Sequence, residues 1–273
     1  MPISRHHVSV VPELPEVEYA AGRLRDAAAG HTIAAVTVHH PAQRRQLPPR
    51  ARKALQGQVI ERVERRAKVQ LLHLSGGGVL EVHFRMTGDW MFSAADDAPP
   101  AFERVRIETR EGVRVSLVDP RALSVVRWHA PGTYTPPPTG PEPLTDAFSV
   151  EAFAGALARR RSPIKPMLLD QRIVAGVGNI YASEALWEAR IKPTAPANSL
   201  SRARVERLRD AIRTVLTVIG DARYYTRDAG ASEIDDRFRV YGREGEPCRR
   251  CGSAIARFDQ AGRSTFWCRR CQR

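Results

Sequence analysis

Between residues 15 and 29 the apolar side chains recur at helical spacing, with Val17, Ala20, Ala21 and Leu24 on one face. Pro15 suits a first-turn position, where its missing N–H would have no partner anyway. Glu16 and Glu18 favour the positive end of the helix dipole, and Gly30 can end the helix. Over the next hundred residues that period disappears. Stretches 31–38, 58–64, 69–74, 79–83, 105–109, 114–118 and 124–128 are short, rich in β-branched residues and partly alternating. Gly76-Gly77-Gly78 and Glu111-Gly112 supply turns between them. The pattern predicts a β-sandwich or barrel with the first helix packed against it. Residues 131–143 hold six prolines and two glycines, which neither a helix interior nor a central strand tolerates, so the stretch reads as a linker. Beyond it the helical period returns over 144–157, 163–171, 179–189 and 202–219, with Gly220 after the last. Residues 227–236 read as a loop leading to a small terminal hairpin. There is no internal repeat.

Composition narrows the partners. The 273 residues suffice for one large domain or two ordinary ones, and at 42% hydrophobic the chain can build its core without disulfides. Lys and Arg exceed Asp and Glu by 43 to 30, a net charge of +13. That surplus favours a polyanion, because Lys and Arg at phosphates release condensed counterions; a generally basic protein would share it. No apolar run approaches the ~20 residues of a membrane helix. The first ten residues, with Arg5, His6 and His7, lack the apolar segment of a secretory signal. A cytosolic, reducing location is the expectation, with no membrane partner.

All four cysteines fall in the last 26 residues, as Cys248-Arg-Arg-Cys251, sixteen intervening residues, and Cys268-Arg-Arg-Cys271. This spacing predicts one structural zinc ion gripped by two pairs rather than two disulfides, and four thiolates leave no open position for water. Arg249, Arg250, Arg263, Arg269, Arg270 and Arg273 surround the site in sequence. On a rigid hairpin they suit phosphate contact, although a solvated basic rim has the same composition. A second motif runs from Lys165 through Gly176-Val177-Gly178 to Asn179 and Ile180. It reads as helix, glycine-bearing turn, helix, with Asn179 at a helix N-terminus that could cap the helix or favour an anion. A third is Pro12-Glu13-Leu14-Pro15-Glu16-Val17-Glu18, two prolines and three carboxylates at the mouth of the first helix.

These three motifs, in this order and spanning nearly the whole chain, resemble the formamidopyrimidine-DNA glycosylase and endonuclease VIII family, the first branch in particular. Gly140-Pro-Glu-Pro-Leu144 is a weaker fourth likeness. The resemblance implies an α+β fold: an N-terminal β-sandwich with a packed helix, then a helical domain with a helix-two-turns-helix motif and a zinc-ribbon β-hairpin. The domains would be 12–130, a linker at 131–143, 144–239 and 240–273, with 1–11 an extension. It implies a bifunctional glycosylase and abasic-site lyase of base excision repair, acting as a monomer on damaged double-stranded DNA in the bacterial cytosol. Pro12 would be the nucleophile and Glu13 the proton-transfer residue, with Lys68 and Arg263 assisting elimination. Asn179 and Lys165, and also Arg161, would hold backbone phosphate. Met86, Arg121 and Leu123 would fill the gap left by an extruded nucleotide. Cys248, Cys251, Cys268 and Cys271 would hold the zinc. By their own surroundings, Met86 and Leu123 read equally as core residues, Lys68 as a strand-end lysine, and Glu16 as a dipole partner.

One feature conflicts with this chemistry. Pro12 follows Val11, so in the chain as written its nitrogen is an amide, whose delocalised lone pair cannot attack. The expectation is that Val11 marks the true start, read as Met and excised. If residues 1–11 are retained, a non-catalytic damaged-DNA-binding protein is the alternative. A zinc-ribbon transcription or RNA-binding module would explain the charge and the cysteines but neither the N-terminal motif nor the Asn179 turn. Leu123 stands where that branch has an aromatic, Phe102 roughly where it has a DNA-contacting histidine, and residues 220–237 depart from its usual pattern. Preference among formamidopyrimidines, 8-oxoguanine, oxidised pyrimidines and abasic sites is therefore left open.

Overall fold

A computed structural model describes residues 11–219 and 237–273. The chain divides into two units between Pro137 and Pro138, inside the proline-rich stretch, and residues 13–15 group with the second unit.

In the first unit, helix α1 (Leu14–Ala28) lays Val17, Ala20, Ala21, Leu24 and Ala28 into the core, as its spacing requires. The strands are β1 (Ile33–Val38), β2 (Ile60–Arg66), β3 (Val69–Leu74), β4 (Val79–His83), β5 (Asp89–Ala94), β6 (Glu103–Thr109), β7 (Val113–Val118) and β8 (Val125–His129), with helices α2 (Pro41–Gln46) and α3 (Pro49–Leu55) after β1. They form two four-stranded antiparallel sheets, β1-β6-β7-β5 and β2-β3-β4-β8. Inward residues of both sheets (Ile33, Ile107, Val115 and Leu117 from one; Leu72, Leu80, Val82 and Val126 from the other) join the α1 face in one core.

Three elements here go beyond the sequence pattern. Strand β5 was hidden because Trp90 is its one fully buried apolar residue, with Phe92 half-buried against the core, while Met91 on the other face is exposed. Neighbours fix its entry: Asp89 pairs with Arg23 at 2.5 Å and the Trp90 indole donates to Gln70 at 2.8 Å. Helices α2 and α3 lie in a Pro/Arg-rich stretch too short for a helical period to show. Pro41 and Pro49 start them at first-turn positions, and His40 caps α2 by accepting the Ala42 N–H at 3.2 Å.

The second unit contains α4 (Val150–Ala158), α5 (Ile164–Leu169), α6 (Asn179–Glu188) and α7 (Arg202–Thr214), which widens into a π turn over Val215–Ile219. A hairpin of β9 (Ala256–Gln260) and β10 (Arg263–Trp267) follows. The helix expected over 144–157 begins only at Val150, because the Ser149 hydroxyl caps it by accepting the Ala152 N–H at 3.0 Å. The loop expected at 227–236 lies outside the described residues.

Candidate functional site

In the second unit the N-terminus of α6 is organised around a carboxylate from far away in sequence. Glu13 is buried and accepts the backbone N–H of Gly178 at 2.7 Å, Ile180 at 2.8 Å and Tyr181 at 3.4 Å. These are the donors a helix leaves without partners in its first turn, and the dipole there favours a negative group. The anion expected at this helix end is thus the protein's own Glu13. Asn179 is correspondingly the first helical residue, with Gly178 in the capping position.

The turn before α6 is shaped to admit this segment. The Leu14 N–H donates to the Gly176 carbonyl at 3.1 Å. Gly176 has φ +79°, and a Cβ there would lie 2.6 Å from the Leu14 side chain, so only glycine fits. Gln171 braces the turn: its Oε1 accepts the Gly176 N–H at 2.8 Å, and its Nε2 donates to the carbonyls of Leu169 and Val177 at 3.0 and 2.9 Å.

The hairpin meets the same helix end. Ala261 and Gly262 both have positive φ, giving the two-residue turn whose twist suits a hairpin, and Arg263 follows at once, exposed, as the first residue of β10. One residue on, the Ser264 carbonyl accepts both Asn179 Nδ2 and Lys165 Nζ at 3.0 Å. Lys165 Nζ also donates to the Thr265 hydroxyl at 2.8 Å. Lys165 is only 1% exposed, and burial lowers its pKa to about 7 against the opposing pull of Glu13, with Arg263 lowering it further. Lys165 Nζ thus ties the start of α5 to the hairpin through two internal contacts. Arg161 is exposed.

Two residues that sequence reasoning missed complete the cradle. Tyr241 lies near both Asn179 and Glu13, with its ring edge-on to Phe266, and burial raises its hydroxyl pKa. Glu184, fully buried in α6, accepts the N–H groups of Arg239, Val240 and Tyr241, all at 2.9 Å, and so fixes where Tyr241 lies. A glutamate at a core position of a helix is the only sequence signal that could have pointed to it.

The four cysteine sulfurs lie within 4.8 Å of one another, with Cys248–Cys271 at 3.9 Å and Cys251–Cys268 at 3.5 Å. A tetrahedron of Zn–S bonds of about 2.3 Å has S–S edges of roughly 3.8 Å, so this donor set fits one zinc ion.

In the first unit, Lys68 sits in the two-residue turn between β2 and β3, where Ala67 has φ +52°. Lys68, Arg85 and Arg127 surround His83, and burial together with these charges lowers the His83 pKa to about 4. Its Nδ1 accepts the Arg85 N–H at 2.9 Å. Met86, Arg121 and Leu123 are all exposed, Met86 by 37% and Leu123 by 44%, so neither apolar residue belongs to the core. Their two loops are joined by Asp119, fully buried, whose Oδ1 accepts the Thr87 hydroxyl at 2.5 Å and the Arg121 N–H at 3.1 Å while Oδ2 accepts the Ser124 N–H at 2.7 Å. Asp119 and Thr87 are further residues the sequence did not single out; Thr87 follows Met86 directly and Pro120 separates Asp119 from Arg121. Pro12 is buried.

Residues 11–126 match the formamidopyrimidine-DNA glycosylase N-terminal domain, 139–221 the helix-two-turns-helix domain of the same proteins, and 245–273 a zinc finger found in these enzymes and in isoleucyl-tRNA synthetase. The formamidopyrimidine-DNA glycosylase of Sphingopyxis alaskensis is 39% identical over 96% of this chain and 100% of its own length. That of Rhizorhabdus wittichii is 40% identical with the same coverage. Among solved structures, the Lactococcus lactis enzyme bound to DNA with an abasic site superposes with a TM-score of 0.86 at 29% identity, over 96% of this chain and 99% of that one. The same enzyme with DNA containing a formamidopyrimidine deoxyguanosine gives 0.86 at 28% identity over 95% and 99%.

Proposed function

The chain belongs to the formamidopyrimidine-DNA glycosylase family, and from that premise we propose a residue-level account of how it excises a damaged base and cuts the strand. It is a DNA glycosylase and abasic-site lyase of base excision repair, with damaged DNA as its partner and one structural zinc. Oxidised purines of the formamidopyrimidine kind are the substrates this reading favours, in line with the ligands of its solved relatives. It acts as a monomer on double-stranded DNA in the bacterial cytosol. No helix among the described residues is long and apolar enough to cross a membrane. The working layout is a catalytic sandwich over 12–130, a linker over 131–143, a helical domain over 144–239 and the finger over 240–273.

Pro12, as a free secondary amine, attacks the sugar C1′. The glycosidic bond breaks and the base leaves with the proton lost from the proline nitrogen; the C1′–O4′ bond then opens, O4′ taking a proton, and an iminium forms. The iminium acidifies the C2′ hydrogen. Loss of that proton expels the 3′ phosphate oxygen by β-elimination, and δ-elimination then releases the 5′ phosphate. Glu13, adjacent to Pro12 in the chain, is the proton-transfer residue. The observation that carries this assignment is its carboxylate, buried and held by the N–H groups opening α6. Lys68 and Arg263 assist the eliminations as cations. Asn179, Lys165 and Arg161 contact backbone phosphate, and Lys165 also aligns the hairpin that presents Arg263. Met86, Arg121 and Leu123 enter the stack where the nucleotide has left, the two apolar side chains as wedges and the guanidinium facing the orphan base.

This chemistry requires the Pro12 nitrogen to be free, so the active form begins at Pro12. The match of family sequence beginning at residue 11, and the full coverage of relatives by 96% of the chain, support that start. The test is N-terminal sequencing of protein made from the native gene, paired with borohydride trapping on a panel of lesion-bearing duplexes. A Pro12 terminus with a trapped adduct is expected. Protein that starts at Met1 or Pro2, binds lesions and forms no adduct would make this a damage-binding protein instead.

A further inference from the structure

Trp187 stands in the last turn of α6, outside the finger, and is 4% exposed. Its indole Nε1–H donates to Cys248 Sγ at 3.5 Å, and the same sulfur takes the Arg250 backbone N–H at 3.5 Å. Two guanidinium groups pack on the ring. The Arg250 guanidinium lies 3.6 Å from the ring centroid and that of Arg239 lies 5.5 Å away. Both arginines pair with the carboxylate of Glu188, Arg250 at 2.9 Å, and Arg250 also donates to the carbonyls of Trp187 and Glu188. Such a lattice restricts the indole to one rotation, the one that aims its N–H at the metal ligand.

A four-thiolate zinc site carries net negative charge, and donors to its sulfurs withdraw part of it and fix the direction of each lone pair. Backbone donors within a finger's own knuckles do this generally. A side-chain donor from a separate helix does more, because it ties the metal site to that helix. At its other end, α6 carries Asn179, which holds the hairpin through the Ser264 carbonyl. We propose that Trp187 is an outer-sphere positioning residue of the zinc site: its indole N–H, locked by Arg250 and Glu188, orients Cys248 for the metal and shields the thiolate from attack, so that the metal site and α6 hold together. This inference rests on the cysteine cluster as a zinc site, not on the proposed chemistry at Pro12.

Trp187→Phe keeps an aromatic ring beside the two arginines and removes the donor. In the full chain loaded with zinc and challenged with excess chelator, W187F should release zinc about 10-fold faster than wild type. With cobalt(II) in the site, its sulfur-to-metal charge-transfer band should move to longer wavelength, because an unshielded thiolate gives up its electrons more easily. Loss of packing alone would speed release but would not shift the band. If W187F does not fold, wild-type protein loaded with cadmium-113 decides the matter. One of the four tryptophan indole N–H resonances should show scalar coupling to the metal through the N–H···S link, and Trp187 can be identified by its contacts with Cys248. Wild-type release rates and an unshifted band in folded W187F would overturn the proposal, as would an indole resonance of Trp187 without coupling to cadmium.

Discussion

Replacing Glu13 by Gln is the sharpest test of how the site is built, because the change is isosteric and acts on three identified backbone donors. The carboxylate now offers one oxygen to Gly178 and Tyr181 and the other to Ile180. An amide has a single oxygen. In its better orientation that oxygen serves Gly178 and Tyr181, and the NH₂ group is turned against the Ile180 N–H. Leaving that buried donor unpaired costs about 1–3 kcal/mol, and exchanging charged for neutral acceptance at Gly178 costs roughly 1 kcal/mol more. Loss of the charge at the positive end of α6 adds about 0.5 kcal/mol. The sum is about 2.5–4.5 kcal/mol, which for a protein of this size lowers the melting midpoint by roughly 5–18 °C. Chemical denaturation and calorimetry read the loss directly, and faster exchange of the Ile180 amide hydrogen locates it. Activity is compared well below the melting range, so that lost proton transfer is separated from lost fold. If E13Q melts within about 1 °C of wild type with Ile180 exchange unchanged, the carboxylate does not hold this helix, and the account of the site fails.

Three other outcomes are expected. Gly176→Ala should destabilise the protein by about 2–4 kcal/mol in denaturation, from left-handed backbone strain plus the clash with Leu14. A double-mutant cycle of Thr87→Val and Asp119→Asn should give a coupling of about 1.5–3 kcal/mol, the range for a hydrogen bond to a charged group, and either change should weaken binding to lesion-bearing duplex through the Met86 and Leu123 loops. Lys165, followed by NMR of its side-chain carbon and nitrogen, should titrate near pH 7. Between pH 7 and 10 the unfolded chain then holds a proton that the native state has lost. Stability attributable to this residue therefore rises with pH, by at most about 1.4 kcal/mol per unit, and Lys165→Met should flatten that slope.

What the sequence made legible was local. Strands 69–74 and 79–83 coincide end to end with Val69–Leu74 and Val79–His83, because alternation and a glycine turn mark both boundaries of a single hairpin. The cysteine pairs came together as their spacing required. Features built from distant residues stayed hidden. Nothing near Glu13 announces that its partners lie 165 to 168 residues further on. Lys165 gives no local sign of its burial, because the carbonyl and hydroxyl that hold it come from positions 99 and 100 residues later. Asp119 reads as a turn aspartate, and its bond to Thr87 spans 32 residues.

Helix α6 shows why such a site needs long-range polar contacts at all. Residues 180–187 are buried without a break, so this helix has no solvent face on which to keep ionised groups. Its carboxylates and donors must each find a fixed partner inside the unit. The N-terminal N–H groups take Glu13, Asn179 takes the Ser264 carbonyl, Glu184 takes the backbone of 239–241, and Glu188 takes Arg239 and Arg250. Every one of these partners lies in a segment that the helix must position. A buried carboxylate or N–H donor left unpaired costs about 1–3 kcal/mol or more, so a mispositioned segment is penalised at once. The same contacts that satisfy the helix therefore set the places of Glu13, Tyr241 and the Arg263 hairpin, and a surface helix with mobile, solvated side chains could not do this.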